Sequence, residues 1–172
     1  MAREETPSRR ILSDFMANPT AVFGLVLLAA ILAVAIAAPL ISPQNPYDLA
    51  QLDVMDGRLP PGANTDGGTF WLGTDDQGRD MLSAIFYGLR ISLTVGVVST
   101  VVALALGLAL GLAAAYFGGR TETVIMRIAD IQLSFPAILI ALILLAVLGQ
   151  GMLKIIAALV TVQWAYYART VR

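Results

Sequence analysis

The sequence predicts an all-α membrane protein with about four transmembrane helices and an external interfacial helix. Three observations carry that expectation. Of the 172 residues, 58% are hydrophobic and only 13% charged, against about 25% charge in an ordinary soluble domain. Several uncharged apolar runs approach or exceed the roughly 20 residues that a helix needs to cross a bilayer. A single aspartate-rich stretch separates the first run from the second.

Residues 1–20 are polar, with Arg3, Arg9 and Arg10 beside Glu4, Glu5 and Asp14. They form a short leader expected in the cytoplasm. Residues 21–41 make the first span. Ala35-Ile36-Ala37 has the small-x-small form of a signal-peptide cleavage site. The apolar core exceeds the about 7–15 residues of such a peptide, however, and the leader is partly acidic, so a retained anchor is expected. Residues 42–90 form an external segment too long for a simple turn. Pro43, Pro46, Pro60, Pro61 and the Gly67-Gly68 pair give its first part an irregular, extended path. Its second part changes period. Met81, Leu82, Ile85, Phe86 and Leu89 share one helical face, which predicts a short interfacial helix over 80–89.

Residues 91–117 make the second span, 118–127 a cytoplasmic turn, 128–149 the third span and 152–168 a weaker fourth. Trp164, Tyr166 and Tyr167 near the end of the fourth are expected at the headgroup level. Residues 169–172 leave the membrane. With four spans and an internal N-terminus, Arg3, Arg9, Arg10, Arg120, Arg127, Arg169 and Arg172 lie inside, and Arg58, Arg79, Arg90 and Lys154 outside. That bias fits the positive-inside rule.

Several chemistries are excluded by composition. There is no Cys and no His, so thiolate or imidazole metal sites and Ser-His-Asp catalysis are absent from this chain. Lys154 is the only lysine and no phosphate-binding loop surrounds it. A net charge of −1 gives no footprint for nucleic acid. The "DDQGRD" stretch lacks the alternating ligands of a calcium loop. No cofactor, metal or catalytic residue is expected.

Two polar patterns remain. Gly73 and Gly78 permit tight turns, and Asp75, Asp76 and Asp80 suit the N-terminus of the helix that follows. Within the second span, Ser99, Ala103, Gly107, Gly111 and Ala115 form a row of small residues, which favours close helix packing. The partner helix is not legible. Near the third span, Arg127 and Asp130 are spaced to pair on one helix face. Pro136 either kinks a helix begun near Thr121 or sits in the first turn of one begun near Ser134. Gln132, Thr161 and Gln163 are expected to bridge helices.

The stretch "LGTDDQGRDMLSAIFYGLRISL" resembles a signature of the second permease subunit of peptide and nickel ABC importers. The matching residues are Leu72, Gly73, Thr74 and Asp75, then Gly78, Arg79 and Asp80, then Tyr87, Gly88 and Arg90. "YFGGRTETVIMRIADIQLSFPAILIAL" and "WAYYARTVR" are similar to the family's second cytoplasmic turn, third span and approach to its ATPase-coupling loop. The resemblance implies the N-terminal part of an ABC importer permease fold. It implies half of a heterodimeric pathway in the bacterial or archaeal inner membrane. Its partners would be a homologous permease subunit, two cytoplasmic ATPase subunits, an extracytoplasmic solute-binding protein and the lipid bilayer. ATP hydrolysis would reside in the partners, so this chain is not expected to be an enzyme. Arg169 and Arg172 would approach a coupling loop that the family carries beyond this point. The alternative is a non-transporting membrane scaffold or an inactive permease fragment.

Overall fold

The computed structural model describes residues 7–65 and 68–172. Arg3, Glu4, Glu5 and Gly67, all named above, lie outside the described residues. The chain divides into two compact units, one up to Ile91 and one from Ser92 to Arg172.

In the first unit, the polar leader contains a helix, α1 (Pro7–Ala17), to which the sequence reading assigned no secondary structure. α1 stops because Asn18 precedes a proline, a position that disfavours helical backbone. Asn18 then caps α2 (Pro19–Ile41), accepting hydrogen bonds from the N–H groups of Thr20 (3.1 Å) and Ala21 (3.3 Å). Pro19 fills the first turn of α2, where its missing donor costs nothing. At 23 residues, α2 is about 35 Å long, enough to cross a bilayer.

The proline-rich segment after α2 is more ordered than its prolines suggest. Two 3₁₀ turns, Leu49–Gln51 and Val54–Asp56, are capped by the side chains of Asp48 and Asp53. An antiparallel hairpin follows, β1 (Ala63–Thr65) with β2 (Gly68–Phe70), in the register Ala63 to Phe70 and Thr65 to Gly68. The Asp-Gly pair between the strands is a hairpin signal that a count of prolines overlooks.

A second departure concerns the interfacial helix. No separate helix ends near Leu89. Met81–Phe117 is one continuous α3 of 37 residues. Nothing between Leu89 and Ile91 breaks a helix, and a Cβ at Gly88 would meet no atom within 4 Å. At about 55 Å, α3 outruns a hydrocarbon core of about 30 Å.

The second unit holds the rest of α3 with α4 (Gly119–Leu133), α5 (Ala137–Leu148) and α6 (Met152–Val171). The expected third span is broken. α4 and α5 meet at 88° across Ser134-Phe135-Pro136. Pro136 has no N–H to continue the α4 ladder, and Phe135 before it is biased away from helix. Pro136 becomes the N-cap of α5, so it sits at a sharp break rather than inside a kinked or newly begun helix. By length and hydropathy, α2 and α3 can each cross a membrane, and α4 with α5 can together make a third crossing. α6 is long enough, but Lys154, Gln163 and Arg169 keep it out of that class.

Candidate functional site

The polar motif folds into a collar at the start of α3. Thr74 is its first pin. The Thr74 hydroxyl accepts from the Leu59 N–H (2.8 Å) and donates to the Asp56 carbonyl. The Thr74 N–H in turn donates to the Leu59 carbonyl (3.2 Å), and the Arg58 N–H to the Asp75 carbonyl (2.9 Å). The 53–59 strip is thereby laid against the motif through backbone hydrogen bonds from both sides.

The two motif glycines make that contact possible. Gly73 and Gly78 have φ of +76° and +75°. A Cβ on Gly73 would strike the Leu59 carbonyl oxygen, and one on Gly78 the Asp53 carbonyl oxygen. Any other residue would be strained in conformation and would collide with backbone.

The three aspartates divide the work in a way their spacing did not reveal. Asp75 closes the motif's own turn. Its Oδ1 accepts from the N–H groups of Gln77 (2.8 Å) and Arg79 (3.0 Å), and Oδ2 lies 3.0 Å from Arg79 Nε. Partial burial by itself would raise the Asp75 pKa. The backbone N–H groups of Arg79 and Gln77 and the Arg79 charge outweigh it and hold the carboxyl below its usual range. Asp76 takes no part in helix capping. It pairs with Arg58 at 2.6 Å on an exposed surface and raises the Arg58 pKa.

Asp80 is the helix cap. It is 1% exposed, and its Oδ2 accepts from both the Ser83 N–H (2.8 Å) and the Ser83 hydroxyl (2.6 Å). Gln44, just past α2, ties in from the other side. Its side-chain oxygen accepts from the Asp80 N–H (2.7 Å), and its own N–H donates to the Ser83 hydroxyl (3.2 Å). Tyr87 meets Tyr47 edge-on at 6.0 Å. The collar thus joins the end of α2, the 53–62 strip and the start of α3 through Gln44, Thr74, Asp75 and Asp80. Leu72 stays half-exposed beside it, and Arg90 is exposed on α3.

The small-residue row occupies the second unit. Ser99, Ala103, Gly107 and Gly111 are buried, but Ala115 is exposed and Ala114 is buried in its place. The correction follows from helix geometry: with 3.6 residues per turn, a strict fourfold step drifts about 40° per repeat, and a step of three restores the face. The partner of the row is α6. A Cβ on Gly107 would lie 2.5 Å from Tyr167 Cβ and 2.7 Å from the Trp164 carbonyl oxygen. One on Gly111 would lie 2.6 Å from the Ala168 carbonyl oxygen. Residue numbers rise together along both helices, so α3 and α6 run parallel.

α4 packs on α6 in the opposite sense. Asp130 pairs with Arg169 (3.2 Å) rather than with its helix neighbour Arg127, and Glu122 pairs with Arg172. Gln132 forms a third rung. Its amide nitrogen donates to the Thr161 carbonyl, and its oxygen accepts from Trp164 Nε1 (2.9 Å). Trp164 is therefore a packed residue that bridges α4 and α6. Ala114, Met126 and Ala168 close the cluster where α3, α4 and α6 converge.

Residues 6–61 match the N-terminal TM domain of oligopeptide transport permease C. Residues 107–172 match the inner membrane component of binding-protein-dependent transport systems. The chain belongs to the permease family of these ABC importers. The oligopeptide transport system permease protein OppC of Bacillus subtilis is 36% identical over 158 residues, which is 92% of this chain and 49% of that protein. The dipeptide transport system permease protein DppC of Escherichia coli is 41% identical over 169 residues, 97% of this chain and 55% of that protein. The di/tripeptide permease protein DppC of Pseudomonas aeruginosa is 35% identical over 169 residues, 97% and 54% respectively. The permease chain spans about half the length of these relatives. The collar's Gln44 and 53–59 strip lie in the first matched region and its motif residues 72–90 between the two, while Gly107, Gly111 and α6 lie within the second.

Proposed function

We propose that this chain forms part of the membrane pathway of an importer for short peptides, beside a homologous permease subunit. Separate ATPase subunits on the cytoplasmic side would power it, and an extracytoplasmic solute-binding protein would deliver the solute. The observation that carries the reading is identity of 34–41% along nearly the whole chain to permeases named for oligopeptides, dipeptides and di/tripeptides. Those names favour peptides over the nickel chelates that the motif alone leaves open.

A four-pass path with both described ends inside is supported by helix directions. α3 and α6 are parallel and α4 is antiparallel to α6. If α3 and α6 both cross, the chain returns across the lipid between them, and α4 with α5 is the broken span available to do so. In this path the collar stands on the outer side and sets how α3 enters the lipid. Arg169 and Arg172, clamped onto α4, lead toward the ATPases.

Uptake of a labelled dipeptide, with nickel uptake measured in parallel, tests the solute in cells lacking the gene. Peptide uptake should be lost and nickel uptake kept. Unchanged peptide uptake rejects the transport reading. Orientation is tested with an impermeant thiol reagent on intact cells: Asp66→Cys should label and Arg120→Cys should not.

A further inference from the structure

We propose that α1 is a membrane-surface anchor, its apolar face seated in the headgroup and acyl boundary of the leaflet where α2 begins. The inference rests on the reading that α2 crosses the membrane. Two apolar pairs one turn apart, Ile11 with Leu12 and Phe15 with Met16, share one side of α1. Arg10, Ser13 and Asp14 take the other side. Among the described residues, Phe15 is partly covered, but Ile11, Leu12 and Met16 stay bare, at 70%, 62% and 61% exposed. Three large apolar side chains this bare on an 11-residue helix need an occupant.

Continuity with the span identifies it. α1 ends at Ala17 and α2 begins at Pro19, so Asn18 alone joins them. The Asn18 N–H still donates to the Phe15 carbonyl (3.1 Å), leaving no slack in the joint. The lipid-facing side chains of α2 begin at once, with Phe23 and Val26 both more than three-fifths exposed. A helix of about 16 Å tethered this closely stays at the membrane surface. An amphipathic helix there buries its apolar face by about 5–10 Å. The helix carries Arg9 and Arg10 against Asp14, too small a charge excess to hold it by itself, so insertion of the apolar face is the main hold.

The chain has no cysteine, so an environment-sensitive fluorophore on an introduced one reports a single position. The full permease would be assembled with cysteine-free partners in vesicles of zwitterionic lipid. Leu12→Cys, Met16→Cys, Arg10→Cys and Ser13→Cys would be labelled in turn, with Leu28→Cys in α2 as the lipid reference. Labels at 12 and 16 should emit at shorter wavelength and be quenched by lipid-borne nitroxide. Labels at 10 and 13 should be quenched by iodide. If 12 and 16 are iodide-quenched while 28 is lipid-quenched, the anchor is wrong and the span stands. Protection of 12 and 16 from both quenchers means a protein covers the face, which also overturns the proposal. Failure at 28 removes the span, and the anchor with it.

Discussion

The collar and the α3–α6 seam each depend on a pair of glycines, for different physical reasons. Gly73 and Gly78 are needed for left-handed backbone pressed against carbonyl oxygens. Gly107 and Gly111 are ordinary helical residues whose missing Cβ lets α6 approach. Around the first pair, nearly every contact is a hydrogen bond from a named donor to a named acceptor. Around the second, contact is between aliphatic carbon and backbone. Water competes for every polar group outside the lipid, so a fixed shape there needs satisfied donors and acceptors. Inside lipid, apolar surface gives helices little reason to associate, and close packing takes over.

Substitutions can break or sharpen this contrast. The largest effect is expected from Gly107→Leu, which drives a branched side chain into the α6 backbone. It should cost about 3 kcal/mol or more, read as loss of assembled permease after detergent extraction. Gly107→Ala should be harmful too, because even one Cβ collides there. Next is Gly78→Ala, at about 2–3 kcal/mol from backbone strain, read as a lowered unfolding temperature of the complex. If Gly78→Ala is neutral, the collar does not hold the backbone as described.

Asp80 follows. Removing a helix cap costs about 1–2 kcal/mol, so Asp80→Ala should destabilise by at least that amount. Asp80→Asn should recover part of the loss, since an amide oxygen can still accept from the Ser83 N–H. Equal losses would show that charge, not capping geometry, is what Asp80 supplies.

The smallest effects are electrostatic. The folded-state pKa of Asp75 lies below its unfolded value, so its stabilisation is complete above the ordinary carboxylate range near about 3.9. It is lost as pH falls through the lower folded value. Asp75→Asn should therefore lower the unfolding temperature at neutral pH, and the gap to wild type should narrow in acid. Arg58→Ala, which removes only the exposed pair with Asp76, should cause no measurable change at any pH.

How much of this was legible before the fold was known differs by element. α2 and the lipid-crossing part of α3 were readable because hydropathy is a sum over neighbours in sequence. The row from Ser99 to Gly111 was readable for the same reason. Its last member was not: choosing Ala114 over Ala115 requires following helix pitch beyond a fixed step. The collar residues were singled out, but their roles were shuffled. Asp75, Asp76 and Asp80 are chemically alike, and only the positions of Gln77, Arg58 and Ser83 around them assign turn, surface pair and cap. α1 went unnoticed because the charges before Ile11, and Asp14 between Leu12 and Phe15, obscured the four apolar positions of a short leader.

The sequence by itself determined which segments prefer lipid and which motif residues share a turn. Each of those follows from the backbone and side chains of adjacent residues. Only the tertiary structure decided that α6 fills the glycine row, that Asp130 pairs with Arg169, that Trp164 is locked to Gln132, and that the break at Pro136 opens to 88°. Those depend on which groups meet across space. Several acceptors and several small-residue faces are available along the chain, and the choice among them rests with how the helices pack.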